Sequence, residues 1–395
     1  MWKRRGLILV CLACVLLSTG CWNRRELNTL GISVGLGIDR SKEMYNVSVQ
    51  IVNPTQTSSK SADNQAHVAL YQQKSKTIME AMRRVTSVSP RTIYLSHLRI
   101  LVISEEQARD GIKEVLDYLS RDHEVRADFF VIVSRGVKAS ELLSVFTQID
   151  TIPAIRMYNM LELSSKFWAP TIGIRMDTLL KEQGNKAGRS SVLSGIGIKG
   201  DKEEIKKDVA LKRINPPGRL YFSGIAVMKN DKLIGWLEEN DNESYSYLVN
   251  KVKFSSFEFP CEQGGNVVLE IMKSRAKLKG SFPNGEPAIQ AEVNIKADIG
   301  ETHCPENLLD EQTIKKYEEA AGEKLKAQLE ETVKMVQREY QADIFGFGEV
   351  FYRRYPKQWR KLEADWEERF RTLPVDIKVK IKINQLGTVN EALNK

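Results

Sequence analysis

A thiol is the first reactive group this chain offers, and its neighbours decide what the thiol does. Cys21 closes the run Leu17-Ser18-Thr19-Gly20-Cys21, in which small residues precede a nucleophilic side chain. Upstream, Lys3, Arg4 and Arg5 give a basic start, and 6–17 form an apolar stretch too short to span a bilayer as a mature helix. This order of features reads as a cleaved export signal over residues 1–20. A cysteine at the first mature position adds a lipid: diacylglyceryl transfer to the Cys21 thiol, then cleavage after Gly20. One departure is Ser18, which stands where leucine is usual; Leu17 sits one residue earlier. Acyl burial gives about 0.8 kcal/mol per methylene, so one chain holds weakly and two or more hold durably. The expectation is a chain tethered to the outer face of a membrane without crossing it.

The other cysteines sort by position. Cys11 and Cys14 leave with the signal, and Cys261 and Cys304 remain as an even pair in an exported chain. They form either a disulfide or two separate thiols, and the disulfide is the expectation. Four histidines are present, His67, His97, His123 and His303, and no pair has zinc-like spacing. His123 lies in Arg121-Asp122-His123-Glu124, a charged helix end that reads as solvated surface. The dinucleotide pattern occurs at Gly195-Ile-Gly197-Ile-Lys-Gly200, but Ile196 and Ile198 read as strand interior and Asp201-Lys202-Glu203-Glu204 would aim carboxylates at a pyrophosphate. No Gly-x-Ser-x-Gly elbow and no phosphate loop occurs. No enzyme, cofactor or metal site is expected.

Composition bounds the rest. The 395 residues are 42% hydrophobic and 28% charged, which are globular values and leave room for two or three domains. The formal net charge of +8 includes the three basic residues of the signal, and lysines elsewhere alternate with glutamates. A nucleic-acid partner is not expected; mild positive charge on a tethered protein fits nearness to anionic headgroups.

The elements that position these residues follow from periodicity. Strands are expected at 30–39, 46–52, 98–103 and 129–133, with 55–66 an exposed loop. Helices are expected at 75–88, 104–121, 139–146 and 151–167, so the first half alternates strands with covering helices. A hairpin turns around Asn230-Asp231. Ile289, Ala291, Val293, Ile295 and Ala297 alternate with polar residues, as do Val375, Ile377, Val379, Ile381 and Ile383. Tyr317, Ala321, Leu325, Leu329 and Val333 recur at helical spacing, predicting a long amphipathic helix over 312–343. Trp359, Leu362, Trp366 and Phe370 make a second stripe. The fold class is α+β and multi-domain: an N-terminal mixed sheet with covering helices, and a C-terminal antiparallel sheet packed on a long helix. The expected organisation is 21–200, a linker at 201–219 around Asn215-Pro216-Pro217-Gly218, and 220–390, with a subdivision near 260.

Several segments together resemble the Ger(x)C family, the C subunits of spore germinant receptors. Cys21-Trp22-Asn23-Arg24-Arg25-Glu26 is similar to the family's Cys-Trp-Asp-x-x-Glu opening, with Asn23 for the usual aspartate. Ala342-Asp343-Ile344-Phe345-Gly346-Phe347-Gly348-Glu349, leading through Tyr355-Pro356 to Trp359 and Trp366, resembles the family's C-terminal signature. Pro170-Thr171, Ser194-Gly195-Ile196 and Phe222-Ser223-Gly224-Ile225-Ala226-Val227 also fit. The resemblance implies a non-catalytic, lipid-anchored subunit needed for nutrient-triggered germination. It also implies partnership with integral-membrane A and B subunits, at the outer face of the spore inner membrane. It carries over no site residue beyond Cys21, and the 343–349 block reads on its own residues as core and turn. The alternative is a solute-binding lipoprotein that captures a small-molecule germinant itself.

Overall fold

The computed structural model describes residues 29–53 and 66–384, with Trp2, 4–6 and Glu26. Cys21, and with it the expected lipid attachment, lies outside the described residues, as do residues 55–65 of the loop expected over 55–66.

The first unit is built on a nine-stranded mixed sheet. β1 (Leu30–Ser41), β2 (Met44–Val52) and β3 (Val68–Ser75) form an antiparallel meander. Helix α1 (Ile78–Val85) follows, and β4 (Thr92–Tyr94) lies parallel to the start of β1. β5 (Ile100–Ser104) leads into α2 (Glu105–Asp110), whose first turn is capped by Ser104 Oγ accepting the Gln107 N–H at 3.2 Å. The helix expected over 104–121 is interrupted at Gly111 and resumes as α3 (Lys113–Arg121), with the Ile112 N–H donated to Asp231 O. β6 (Phe130–Ser134), α4 (Ala139–Leu142), α5 (Pro153–Phe167), α6 (Met176–Gln183) and β7 (Val192–Gly200) complete the parallel centre, in the order β1-β5-β6-β7.

Burial on both faces explains why the central strands read as apolar runs. Along β5, Leu101 and Ile103 join Leu36, Ile38, Met82 and Leu116 on one side. Ile100 and Val102 join Leu142, Ala154 and Met157 on the other. The glycine pattern at 195–200 lies within β7: a Cβ on Gly195 would sit 2.3 Å from Ser223 O, so close strand approach accounts for the glycine there.

The segment 201–219, expected as a linker, instead joins two neighbouring strands of this sheet. β8 (Gly218–Lys229) pairs antiparallel along β7, with Gly200 opposite Gly218, and β9 (Lys232–Leu237) closes the edge. Two short 3-10 turns occupy the excursion and bury Ile205 and Ala210. Prolines and charges mark a surface detour, but the strand hydrogen bonds carry the sheet through to Leu237.

The second unit opens with α7 (Glu239–Leu248) and forms the sheet β10 (Ser255–Pro260), β11 (Asn266–Ser281), β12 (Ala288–Thr302) and β13 (Val375–Ile383). The first three strands are antiparallel, but β13 runs parallel to β12, so the expected antiparallel sheet is mixed. The cause is the connection: the helices between β12 and β13 make a crossover that returns the chain to the end where β12 began. The long helix α8 (Glu311–Met335) buries Tyr317, Ala321, Leu325, Leu329 and Val333, as its spacing predicts. It ends before the expected 343, in a π-turn (Val336–Tyr340) and a left-handed Gln341. α9 (Phe347–Arg354), α10 (Pro356–Leu362) and α11 (Trp366–Thr372) follow, burying Phe351, Trp359, Leu362, Trp366 and Phe370. Among the described residues, no helix is long and apolar enough to cross a membrane.

Candidate functional site

The densest polar constellation is built around Asp343. Its Oδ1 accepts the backbone N–H groups of Gly346 (2.9 Å) and Phe347 (3.0 Å). Its Oδ2 accepts the Gly348 N–H (2.7 Å) and the Trp366 indole N–H (3.2 Å). One carboxylate therefore satisfies the buried donors that have no partner within the helix at the start of α9 and pins a helix 23 residues away. Glycine is required here. Gly346 has φ +76°, and a Cβ on Gly348 would lie 2.2 Å from Ala187 O. Burial raises the Asp343 carboxyl above the ordinary aspartate range, against the lowering effect of these hydrogen bonds.

The same loop fastens the two units together. Asp343 O accepts the Ser190 N–H at 2.9 Å, and Arg189 forms a β-bridge with Asp343. The Arg189 guanidinium lies 3.6 Å from Glu349 and 3.7 Å from Glu182, and Asn185 Nδ2 donates to Glu349 Oε1 at 2.6 Å. Burial pushes the Glu182 carboxyl up. Beneath the loop, Phe345 stacks on Phe347 with centroids 5.2 Å apart, and Trp359 meets Trp366 at 5.2 Å. This chemistry holds and orients; the carboxylate of Asp343 faces its own chain. The reading of 343–349 as core and turn agrees with this geometry, although its partner segment at 185–190 carries no motif in the sequence.

Cys261 and Cys304 are joined as a disulfide with Cα atoms 6.2 Å apart, tying the end of β10 to the segment after β12. Glu306 lies near both sulfurs and accepts the Tyr317 hydroxyl at 3.1 Å. Among the described residues, these three are the one group close enough to hold a metal ion, and bonded sulfurs offer it no thiolate. The histidines are not brought together: His97 packs on Tyr94, and His303 pairs with Glu301 at 3.0 Å.

A cleft of about 1040 Å³ opens between α1 and α3. Met82, Ile93 and Leu95 give it an apolar floor, and Lys76, Arg83, Asp117 and His123 stand among its polar walls. Tyr45 donates its hydroxyl to Glu114 in the wall; burial, then that carboxylate, pushes the phenol up to about 12. Sequence reasoning placed His123 on a solvated helix end and did not find the cleft. The sequence signal that could have found it is Met79, an apolar residue off the Ile78, Met82 and Val85 stripe of α1, and the structure leaves it 58% exposed.

With this geometry in hand, comparison with known proteins gives a consistent result. Residues 23–198 match the family model "Spore germination protein N-terminal domain", and 223–387 match "Spore germination B3/ GerAC like, C-terminal". The two models leave 199–222 between them, where the composition breaks, while the sheet itself continues to Leu237. Spore germination protein KC of Bacillus subtilis (strain 168) is 28% identical, with 98% of this chain and 97% of the relative aligned. Spore germination protein B3 of the same organism is 24% identical over 94% and 95%, and GerQC of Bacillus cereus 23% over 80% and 82%. The crystal structure of the GerBC protein matches in fold with a TM-score of 0.57 at 20% identity, covering 88% of this chain and 96% of that one. The chain belongs to the Ger(x)C family of spore germination proteins, and its role lies in spore germination.

Proposed function

We propose that the chain is a non-catalytic, lipid-anchored C subunit of a spore germinant receptor. It assembles with integral-membrane A and B subunits at the outer face of the spore inner membrane. The observation that carries this reading is the match of both halves to spore germination models, and the signal expected over residues 1–20, directly before Cys21, supports the anchor. The Asp343 joint supports it, because a buried clamp between two units suits a rigid assembly part. The test is acyl labelling in sporulating cells: Cys21→Ala should abolish incorporation of a fatty-acid probe, release the chain from the membrane and weaken the nutrient response. Full labelling and retention of that variant would overturn the anchor.

A second reading, direct capture of a small-molecule germinant, is favoured by the α1–α3 cleft. Calorimetry of the mature chain against amino acids and sugars separates the two readings. Saturable heat that is lost in Met82→Glu would support capture, and its absence supports the assembly role.

A further inference from the structure

The strand registers of the second sheet set like charges side by side. Lys273 pairs with Lys296, and Lys296 with Lys382, so three lysines stand in one row across β11, β12 and β13. The next row on that face is Arg275, Asn294 and Lys380. All six side chains are exposed, and these six adjacent positions hold five cations and no anion. Like charges directly opposite one another destabilise a sheet. Folding alone therefore gives no reason for the arrangement, whereas an anionic partner does.

The nearby carboxylates do not cancel it. Glu292 pairs with Lys279 at 3.1 Å, and Asp376 with Lys378 at 3.8 Å, both farther along the face. Glu318 on α8 lies 3.3 Å from Lys382 and also accepts the Ile383 N–H. The same six positions line a crease whose α8 wall adds Glu318, Glu319 and Glu323 with Lys315 and Lys326, so seven cations there face three carboxylates and the excess stays positive. Glu270 and Asp298 form an acidic row on the other side of the bulge at Ile271/Lys273. Lys273, Arg275, Lys296 and Lys380 have no ion pair among the described residues.

The composition of the face selects the partner. Protein interfaces centre on aromatic, methionine and arginine anchors and are poor in lysine. These six positions hold four lysines, one arginine, one asparagine and no apolar side chain. Near an anionic leaflet each such cation raises affinity about fivefold. The tether also limits distance: the stretch from Cys21 to Leu30 spans at most about 32 Å fully extended. We propose that this face rests on the anionic lipid headgroups of the membrane to which Cys21 tethers the chain, and so fixes the orientation of the second unit. The inference rests on the tethered reading for its membrane.

The test removes the lipid. The mature chain carrying Cys21→Ser, which contains the whole described fold from Leu30, is floated with two kinds of vesicle. One is phosphatidylcholine alone, and the other is an equal mixture of phosphatidylcholine and phosphatidylglycerol. The expected result is recovery with the anionic vesicles only, lost in 1 M salt, where the screening length falls to about 3 Å. Replacing three unpaired cations together, Lys273→Gln, Lys296→Gln and Lys380→Gln, should weaken binding roughly a hundredfold. The same variant should melt no lower than the wild type, since it relieves repulsion. Equal recovery on both vesicles, recovery on neither, or a triple variant that floats like the wild type would overturn the proposal. Binding to poly-L-glutamate without binding to vesicles would overturn it in favour of an acidic protein partner. No acyl group takes part, so failure here leaves the tether intact, and failure of the tether is read separately from acyl labelling.

Discussion

Asp343→Ala should unfasten the joint between the two units. The substitution leaves three backbone N–H groups and the Trp366 indole N–H without their acceptor, in a place where Asp343 itself is 3% exposed. A buried donor left unpaired costs about 1–3 kcal/mol. Four such donors at the low end, with some relaxation toward water and relief of the buried charge, give about 4 kcal/mol. Asp343→Asn keeps one oxygen but turns an amide N–H₂ toward the other two donors, so about half that loss, roughly 2 kcal/mol, is expected. Gly348→Ala attacks the same joint sterically, through a Cβ 2.2 Å from Ala187 O. The assay is urea unfolding of the mature chain followed by tryptophan fluorescence, with far-ultraviolet dichroism as a second probe. Noncoincident transitions in Asp343→Ala, with the 343–373 region melting first, would show the joint opening ahead of the sheets. If Asp343→Ala lowers stability by less than about 1 kcal/mol, the carboxylate is not what holds the loop, and the reasoning fails.

Three further outcomes follow from the second unit. Leu325→Asp places an unpaired charge at a fully buried position of α8, and calorimetric melting should report a loss of several kcal/mol. Reducing the Cys261–Cys304 bond, or Cys304→Ser, should cost about 4 kcal/mol on the chain-entropy account for a separation of 43 residues; unreduced peptide mass spectrometry checks the pairing itself. Burial pushes the Glu243 carboxyl up to about 7, so the native state holds its proton longer than the unfolded chain. The stability this confers is full below about pH 4.5 and is lost as pH rises through 7. Glu243→Gln should flatten that slope and gain about 3 kcal/mol over the wild type at pH 8, read from denaturation across pH.

What the sequence disclosed and what it hid divide along physical lines. The stripe from Tyr317 to Val333 was legible because a helix repeats its buried face every three to four residues. The alternation in β12 and β13 was legible for the same kind of reason. The direction of β13 was not, since alternation is the same in parallel and antiparallel pairs. Asn215-Pro216-Pro217-Gly218 looked like a boundary because breakers mark loops, yet Gly200 and Gly218 lie opposite each other on paired strands and the Asp201 N–H donates to Pro217 O. α7 went unseen because Glu239–Leu248 opens on six polar residues, and its burial comes from packing on α8 and β11. The Asp343 block stood out as a motif, but its partners at Arg189, Ser190 and Trp366 are remote in the chain. The cationic rows needed the register, since lysines 273, 296 and 382 meet only through strand pairing.

The central claim is membership of a membrane receptor complex, and affinity purification from detergent-solubilised spore membranes tests it most directly. A tagged wild-type chain should bring down two integral-membrane proteins in fixed ratio, and deletion of the chain should abolish the response to nutrients. Recovery of the chain alone under mild detergent, from spores that still germinate normally after its deletion, would contradict the account.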